Sequence, residues 1–289
     1  MKVQILRPSD PNYPEVARRI KPKNPPTLYV RGTPLEEILE KPRVAIVGTR
    51  RITPYGRQVT TRMAKELTEQ GVVIIGGLAF GVDAAAHRAC LEAGGITVAV
   101  LPSPVENPMP HSHQRLARQI LEQGGTLVST YPLEDDVHQG NFVERNSLVA
   151  ALAQAVVVTE AAAKSGTRHT VEFASQHGIP SLAVPGPITS PLSFGTNDFI
   201  KSNAASVCTG TEDVLQALGL TLTSAHQRRL FSSDPSEQLV LNLMSSGLSD
   251  GAELHAQSGL GISRFNQVLS MLELDGKVQA LGCNRWGIP

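Results

Sequence analysis

The chain has 289 residues, with 26 Lys and Arg against 26 Asp and Glu, and 41% of its residues are hydrophobic. This length predicts one large domain with a small appendage, and the composition is that of a globular protein. No apolar run reaches the roughly 20 residues of a membrane helix, and no apolar signal-peptide region follows Met1–Gln4. The three cysteines are far apart and form no disulfide framework. We therefore expect a cytoplasmic protein with no membrane partner.

The charge is unevenly distributed. Residues 1–60 hold 12 Lys and Arg and 5 Asp and Glu, whereas residues 61–289 hold 14 and 21. A neutral total therefore leaves room for a basic face that binds nucleic acid. Cations such as Arg18, Arg19, Lys21 and Lys23 are equally compatible with an ordinary solvated surface.

Residues 1–40 contain seven prolines, which forbid a long helix, and we interpret them as an N-terminal extension that packs on the core. Thr27–Arg31 fits a short edge strand. Short apolar runs then alternate with helical segments over residues 41–218. The predicted strands are Val44–Val47, Val72–Ile75, Thr97–Leu101, Thr126–Ser129, Ala155–Thr159 and Ser181–Val184. The predicted helices are Pro54–Gln70, capped by Thr53, then Asp83–Ala93, His111–Gln123, Glu144–Gln154 and Thr167–His177.

This alternation predicts an α/β fold, a doubly wound and mostly parallel sheet with helices on both faces. Ligands of such sheets bind at the carboxyl ends of the strands. The loops at that edge, which begin at residues 48, 76, 102, 130, 160 and 185, are therefore the first candidates for a site.

Residues 219–236 are rich in Ser and Thr and fit a linker. Residues 237–289 then predict a small winged-helix-like domain, with three helices and a hairpin. The helices are Glu237–Ser245, Ala252–Gln257 and Ser263–Leu274, and the hairpin strands are Lys277–Leu281 and Arg285–Gly287. A winged helix commonly binds DNA through its third helix. Here three basic residues face five acidic ones, a balance that favours contact with a protein.

Several loops are suited to phosphate. Gly76–Asp83 joins a strand to a helix, and its glycines allow backbone N–H groups to converge on an anion. Asp83 fits a helix cap better than a catalytic group. Lys164–Thr167 opens another helix with small residues and one cation, as Gly48–Arg50 does after the first strand. A cation is unfavourable at a helix N-terminus, so Arg145 implies a partner there, either a phosphate or a structural carboxylate.

Other chemistries lack their motifs. The chain contains no G-x-G-x-x-G, no G-x-x-x-x-G-K-[ST] and no G-x-S-x-G. His111 and His113 have no further ligand at metal spacing, and His87 and His169 fit packing or capping roles. We expect no cofactor, no metal and no catalytic residue.

Several strings together resemble the DNA-processing protein A (DprA, or Smf) family. They are Tyr13–Pro14, Leu28–Gly32, Val44–Arg50, Gly77–Asp83 with His87, Phe142–Asn146, Ser165–Thr167 and Val184–Gly186. The resemblance implies an extended Rossmann-like domain that binds single-stranded DNA, dimerises and hands the strand to a RecA-type recombinase during natural transformation. It implies no enzymatic activity.

The resemblance places a DNA groove on these loops, with Phe80, Phe142 and Phe194 as candidate stacking platforms. We expect Arg50→Ala and Arg145→Ala each to weaken DNA binding with little change in melting temperature. The predicted nucleic-acid-binding residues are Gly48, Thr49, Arg50, Arg51, Gly76, Gly77, Phe80, Gly81, Arg145, Asn146, Lys164, Ser165, Gly166 and Thr167.

The chain departs from the family pattern at three places. Gly76–Gly77 stands where the pattern has Ser-Gly, Ser147 replaces the second Arg of Arg-Asn-Arg, and Thr130 replaces a Glu. These changes suggest a divergent branch. One alternative role is therefore a DNA-sensing or toxin-restraining component of a phage-defence or toxin–antitoxin locus, with that toxin as its partner. A purely structural or interaction protein is a further alternative.

The segment from Glu144 to Thr167 also resembles the LOG nucleotide hydrolases, which cleave a nucleoside monophosphate at its ribose. Their P-G-G-x-G-T-x-x-E signature is altered here. Lys164 and Ser165 replace the Gly-Gly pair, and the acid, Glu172, is out of register. A LOG-like phosphoribohydrolase is thus a third reading of the same loops.

Overall fold

The computed structural model describes residues 2–220, 234–282 and 284–288. Contacts between Cα atoms divide the chain into two compact units, Met1–Thr221 and Leu222–Pro289. Most of the predicted linker, residues 219–236, lies outside the described residues. In the part of the chain that is described, no helix is long and apolar enough to cross a membrane.

The first unit is built on a nine-stranded sheet with the order β1-β2-β6-β5-β4-β3-β7-β8-β9 within the described residues. In chain order the strands are β1 (Gln4–Leu6), β2 (Leu28–Gly32), β3 (Arg43–Gly48), β4 (Val73–Gly76), β5 (Thr97–Leu101), β6 (Thr126–Ser129), β7 (Ala155–Glu160), β8 (Ser181–Ala183) and β9 (Ser206–Val207). Strand β2 is antiparallel to both β1 and β6, and all other neighbours are parallel. The prediction of a mostly parallel doubly wound sheet is confirmed.

The Pro-rich segment before residue 40 supplies the first two strands. The prediction that Thr27–Arg31 is an edge strand is wrong, because β1 pairs with its outer side and β6 with its inner side. Leu28 and Val30 are buried in the core cluster on one face of the sheet. The sequence Gln4–Leu6 is too short to show a strand pattern of its own.

Helices cover the sheet of the first unit. They are α1 (Glu15–Arg18), α2 (Leu35–Leu39), α3 (Pro54–Glu69), α4 (Val82–Glu92), α5 (Gln114–Glu122), α6 (Gln139–Leu152), α7 (Thr167–Gln176), α8 (Phe194–Lys201) and α9 (Thr211–Ala217). A single 3₁₀ turn, His111–His113, precedes α5, so the predicted helix there is split. Helix α6 begins five residues before the predicted Glu144, since its first turn lacks a capping side chain that would mark its start.

Both faces of the sheet are buried, and alternate residues of one strand show this directly. Val98 and Val100 of β5 pack in the cluster that contains Leu148 of α6. Ala99 and Leu101 of the same strand pack in the cluster that contains Leu116 of α5. This arrangement explains why the strands read as continuous apolar runs rather than alternating ones.

The order of the strands reverses at β3. From β3 the chain runs outward through β4, β5 and β6 on one side, and then returns to place β7, β8 and β9 on the other. The loops that follow β3 and β7 therefore leave the sheet side by side at its carboxyl edge. A crevice at such a reversal is the usual binding place of an open α/β sheet.

The C-terminal unit has the predicted three helices and hairpin. They are α10 (Pro235–Ser245), α11 (Gly251–Ser258), α12 (Ile262–Leu274), β10 (Gln279–Gly282) and β11 (Arg285–Gly287). Asp234 and Asp250 cap the first two helices through their carboxylates. Phe265, Val268 and Leu272 line the buried side of α12. These features confirm the winged-helix prediction.

Candidate nucleic-acid interface

A cavity of about 470 Å³ lies at the carboxyl edge of the sheet, where the loops after β3 and β7 meet. We call it the edge cavity. It brings together three segments that are far apart in the chain. Ten of the predicted binding residues line it, namely Gly48, Thr49, Arg50, Arg51, Arg145, Asn146, Lys164, Ser165, Gly166 and Thr167. Gly76, Gly77, Phe80 and Gly81 are not part of its lining.

The loop after β3 is fixed by Glu160, the last residue of β7. Thr49 donates its backbone N–H to the Glu160 carbonyl at 2.7 Å. The buried Glu160 carboxylate accepts from Thr53 twice, from the backbone N at 2.9 Å and from Oγ1 at 2.7 Å. Thr53 Oγ1 in turn accepts from the Gly56 N–H and caps α3, as predicted. The segment that carries Arg50 and Arg51 is therefore held at both ends.

Arg50 separates the edge cavity from a second, more apolar space. Its guanidinium lies 5.1 Å from the centre of the Phe142 ring, within the range of a cation–π contact. Arg50 and Phe142 also line a crevice of about 450 Å³, which we call the apolar crevice, together with Met109, Val137, His138, Gln139 and Val143. Among the described residues, no carboxylate lies within 4.0 Å of Arg50. Arg50 is also exposed, so its cation is available to a ligand.

The glycine-rich loop before α4 converges on an anion that the chain itself supplies. Asp83 Oδ2 accepts from the Gly77 N–H at 2.8 Å and from the Ala79 N–H at 3.4 Å. The expectation that Asp83 caps α4 is wrong, because the cap position belongs to Gly81 and Asp83 lies in the first turn. Its carboxylate occupies the place that the sequence suggested for a phosphate.

Two conformations with positive φ shape the same loop. Leu78 has a φ of 58° and its carbonyl accepts from His113 Nδ1 at 2.8 Å. Gly81 has a φ of 76°, and a Cβ there would lie 2.2 Å from the Thr49 carbonyl oxygen. Only glycine therefore allows the two loops to touch. Phe80, 48% exposed, rests on the His113 ring with 4.8 Å between centroids.

Arg145 is the most deeply buried cation of the edge cavity, with only 4% of it exposed. Its Nη1 donates to the Val100 carbonyl at 3.0 Å, and a Cβ on Gly77 would lie 1.3 Å from that nitrogen. Burial lowers the pKa of Arg145 to about 10, while the nearby Asp83 carboxylate opposes the shift. The structural carboxylate that the sequence left open is therefore Asp83. Arg145 Nε has no hydrogen-bond partner among the described residues.

The third segment opens α7. Ser165 Oγ donates to Thr167 Oγ1 at 2.9 Å and accepts from the Thr167 N–H at 3.3 Å. Asn146 Nδ2 donates to the Gly166 carbonyl at 3.3 Å and links this turn to α6. Lys164 is exposed, and in the described part of the chain no carboxylate lies within 4.0 Å of it. It is a second available cation.

Sequence reasoning missed two groups that hold the site together. Glu160 carries a detectable signal, since an acid directly after a buried apolar strand needs donors. His113 carries none, because nothing in the sequence places it beneath Leu78 and Phe80. Phe194, the third candidate platform, is exposed at the start of α8 and does not line the edge cavity.

Glu172, the acid that the LOG signature would require, lies outside the edge cavity. It is exposed on α7, and its carboxylate lies 3.7 Å from His169 Nδ1. Among the described residues, no group of three or more His, Cys, Asp or Glu side chains is arranged to hold a metal ion.

Comparison with known families decides the relationship. Residues 4–219 match the model of DNA recombination-mediator protein A, and residues 224–282 match the DprA winged helix domain. The chain belongs to the DprA/Smf family. This confirms the resemblance seen in the sequence.

Individual relatives agree along most of the chain. It is 32% identical over 308 aligned residues to a putative DNA processing protein DprA of Mycobacterium tuberculosis, covering 99% of this chain and 77% of that one. It is 38% identical over 213 residues to protein Smf of Escherichia coli, covering 73% of this chain and 56% of Smf.

Two solved structures are similar in fold to three quarters of this chain. DprA from Streptococcus pneumoniae has a TM-score of 0.67 at 32% identity, covering 75% of this chain and 74% of that one. DprA from Helicobacter pylori, whose structure concerns its single-stranded DNA binding mode, has a TM-score of 0.66 at 30% identity. That match covers 75% of this chain and 96% of the other.

Proposed function

We propose that this protein binds single-stranded DNA at the carboxyl edge of its sheet and presents it to a RecA-type recombinase. The observation that carries the proposal is the edge cavity, in which two distant segments bring exposed cations beside small, hydrogen-bonding side chains. Arg50 and Arg51 come from one segment and Lys164 from the other, and none of them has a carboxylate within 4.0 Å among the described residues. The Helicobacter pylori relative is described as binding single-stranded DNA, and the family is described as a recombination mediator.

The chemistry of the site suits a backbone rather than a sequence. Arg50, Arg51 and Lys164 offer exposed cations to phosphates, and the Ser165 and Thr167 hydroxyls add hydrogen-bonding groups. The apolar crevice beside Arg50 offers Phe142 as a surface on which a base stacks. A duplex keeps its bases stacked inside, so only an unpaired strand can use both spaces at once. We therefore expect a preference for the single strand with little sequence selectivity.

The decisive experiment is fluorescence anisotropy with a labelled oligo-dT of about 30 nucleotides at about 50 mM and about 200 mM salt. We expect tight binding that weakens with salt, and weak competition by a duplex of equal length. Arg50→Ala should weaken binding about tenfold, because it removes one charge-assisted contact to a phosphate and the guanidinium that packs on the Phe142 ring. Arg62→Ala is the matched control, because Arg62 is also exposed but its Nε lies 2.7 Å from Glu66 Oε1. Absence of binding at low salt would overturn the proposal.

The role in recombination has its own test. DNA covered with a single-strand-binding protein is a poor substrate for a RecA-type recombinase, so a mediator should shorten the lag before its ATPase activity appears. We expect the wild-type protein to shorten that lag and Arg50→Ala to do so less.

We also propose that the protein forms a homodimer, which light scattering would measure. We further expect the purified protein to release no base from a nucleoside monophosphate.

A further inference from the structure

A third cavity lies outside the proposed site, between helices α4 and α5. It measures about 420 Å³, and we call it the α4–α5 groove. Its lining joins polar and charged side chains to two leucines, Leu91 and Leu116. Arg88 and Glu92 come from α4, Arg115 and Gln119 come from α5, and Ser112 comes from the turn before α5. Among all described residues, no carboxylate lies within 4.0 Å of Arg88 or Arg115.

A chain of residue contacts leads from the edge cavity to the groove. The Phe80–Gly81 turn abuts the backbone of Thr49 and Arg50, since a Cβ on Gly81 would lie 2.2 Å from the Thr49 oxygen. The Phe80 ring rests on His113, and the residue before His113 is Ser112, which lines the groove. The exposed Phe80 ring therefore lies in a turn that contacts the Arg50 segment and packs on the residue next to Ser112.

The character of the groove indicates which part of a nucleic acid it would hold. It contains no aromatic side chain, so it offers no stacking surface for a base. Two exposed guanidinium groups with a hydroxyl and amides beside them match phosphate and sugar oxygens. Glu92 is the acid of the lining, and it lies one turn beyond Arg88 on α4, near the C-terminal end of that helix. We therefore expect phosphates to approach from the Ser112 end.

We propose that a DNA strand leaving the edge cavity passes over Phe80 and continues into the α4–α5 groove, where Arg88 and Arg115 contact its phosphates. This inference rests on the proposed function, because it extends the same bound strand. It assigns the groove to the backbone of single-stranded DNA and lengthens the binding site beyond the nucleotides that the edge cavity holds.

The test compares two oligonucleotides, one of about 6 and one of about 30 nucleotides, with wild type and Arg88→Ala/Arg115→Ala. The long oligonucleotide should bind the double variant about tenfold more weakly at low salt, and the short one should bind both proteins equally. The dependence of log K on log salt for the long one should fall by about 1.4, since each phosphate contact on a single strand contributes about 0.7. Both arginines are exposed, so the melting temperature should not change.

Arg118→Ala is the matched control. Arg118 is exposed on the same helix as Arg115 but does not line the groove, and we expect it to bind both oligonucleotides as wild type does. If the double variant binds the long oligonucleotide with wild-type affinity and salt dependence, the groove is not part of the path. If wild type binds neither oligonucleotide, the proposed function itself fails, which is a different result from the first.

Discussion

The carboxyl edge of the sheet and the C-terminal winged helix stabilise their loops in different ways. Beneath the edge lie buried polar side chains, among them Asp83, His87, His113, Arg145 and Glu160. In the described part of the C-terminal unit, the one buried polar residue is Ser258, and the buried cluster of that unit consists of hydrophobic side chains. Burying polar groups costs free energy unless each finds a partner. At the edge, hydrogen bonds to Asp83, His113 and Glu160 offset part of that cost and hold the loops in a defined shape.

The same two regions also differ in what their cations do. At the edge, Arg50 and Lys164 are exposed and without carboxylate partners among the described residues. In the C-terminal unit, Arg264 pairs with Asp234, and the Lys277 ammonium lies 3.3 Å from the Asp275 carboxylate. Arg285, on β11, has no carboxylate partner among the described residues. Two of the three cations in the described part of the C-terminal unit are therefore paired with carboxylates, whereas Arg50 and Lys164 at the edge are not.

Arg145 gives the largest expected effect, because it belongs to the buried polar set rather than to the available cations. Arg145→Ala should lower the free energy of unfolding by about 3 kcal/mol, through the lost bond to Val100 and an uncompensated Asp83. This revises the sequence-based expectation of an unchanged melting temperature. Urea unfolding measures it, with Arg50→Ala as a control that should stay within about 0.5 kcal/mol of wild type. Equal stability of the two variants would show that the buried Arg145 stabilises the fold no more than the exposed Arg50 does.

His87 makes the edge sensitive to acid. It is fully buried, its Nδ1 bonds to Thr97 Oγ1 at 2.7 Å, and burial lowers its pKa to about 3, with Arg145 reinforcing the shift. Thr97 Oγ1 donates to the Ile74 carbonyl, so His87 Nδ1 carries the proton and donates. Its Nε2 has no hydrogen-bond partner among the described residues. The neutral ring is therefore the native form.

Acid should consequently destabilise the folded state through this residue. Above the unfolded-state pKa of about 6.5, neither state protonates His87, and the full stability is present. Below it the unfolded chain binds a proton that the folded chain refuses, and stability is lost on the order of 2 kcal/mol between about pH 7 and about pH 5. Urea unfolding of His87→Gln against wild type isolates the effect as a difference in slope. Parallel pH profiles would contradict it.

Glu160 provides a smaller effect on the same region. Both of its carboxylate oxygens accept hydrogen bonds from Thr53, and an amide in its place can accept on one side only. Glu160→Gln should lower the free energy of unfolding by about 1–2 kcal/mol. It should also weaken DNA binding a few-fold, because the segment that carries Arg50 loses its anchor. Thr33→Val is a control outside the edge cavity. It removes the exposed hydrogen bond that the Thr33 hydroxyl donates to the Gly124 carbonyl. If Glu160→Gln binds DNA with wild-type affinity, Glu160 does not position the segment that carries Arg50 for DNA binding.

The sequence predicted those parts of the molecule whose causes are local. The Thr53–Pro54 start of α3, the apolar strands and the cluster Lys164–Thr167 all follow from neighbouring residues, and the structure confirms the elements. The burial of Arg145 against Gly77 and Asp83 depends on three segments meeting, and no local pattern encodes such a meeting. Strand β1 was not predicted, because its three residues are too few to show a strand period.

The smallest expected effect is on DNA affinity when the C-terminal unit is removed. Deleting residues 220–289 should change the affinity for oligo-dT by less than about twofold, since Arg264 of helix α12 is paired with Asp234 and has little to offer a phosphate. Anisotropy on the truncated and full-length proteins measures this. A large loss, reproduced by Arg285→Ala in the full chain, would show that one unpaired cation suffices for a contact. In that case the difference between the two regions would lie in the rigidity of their loops and not in their charges.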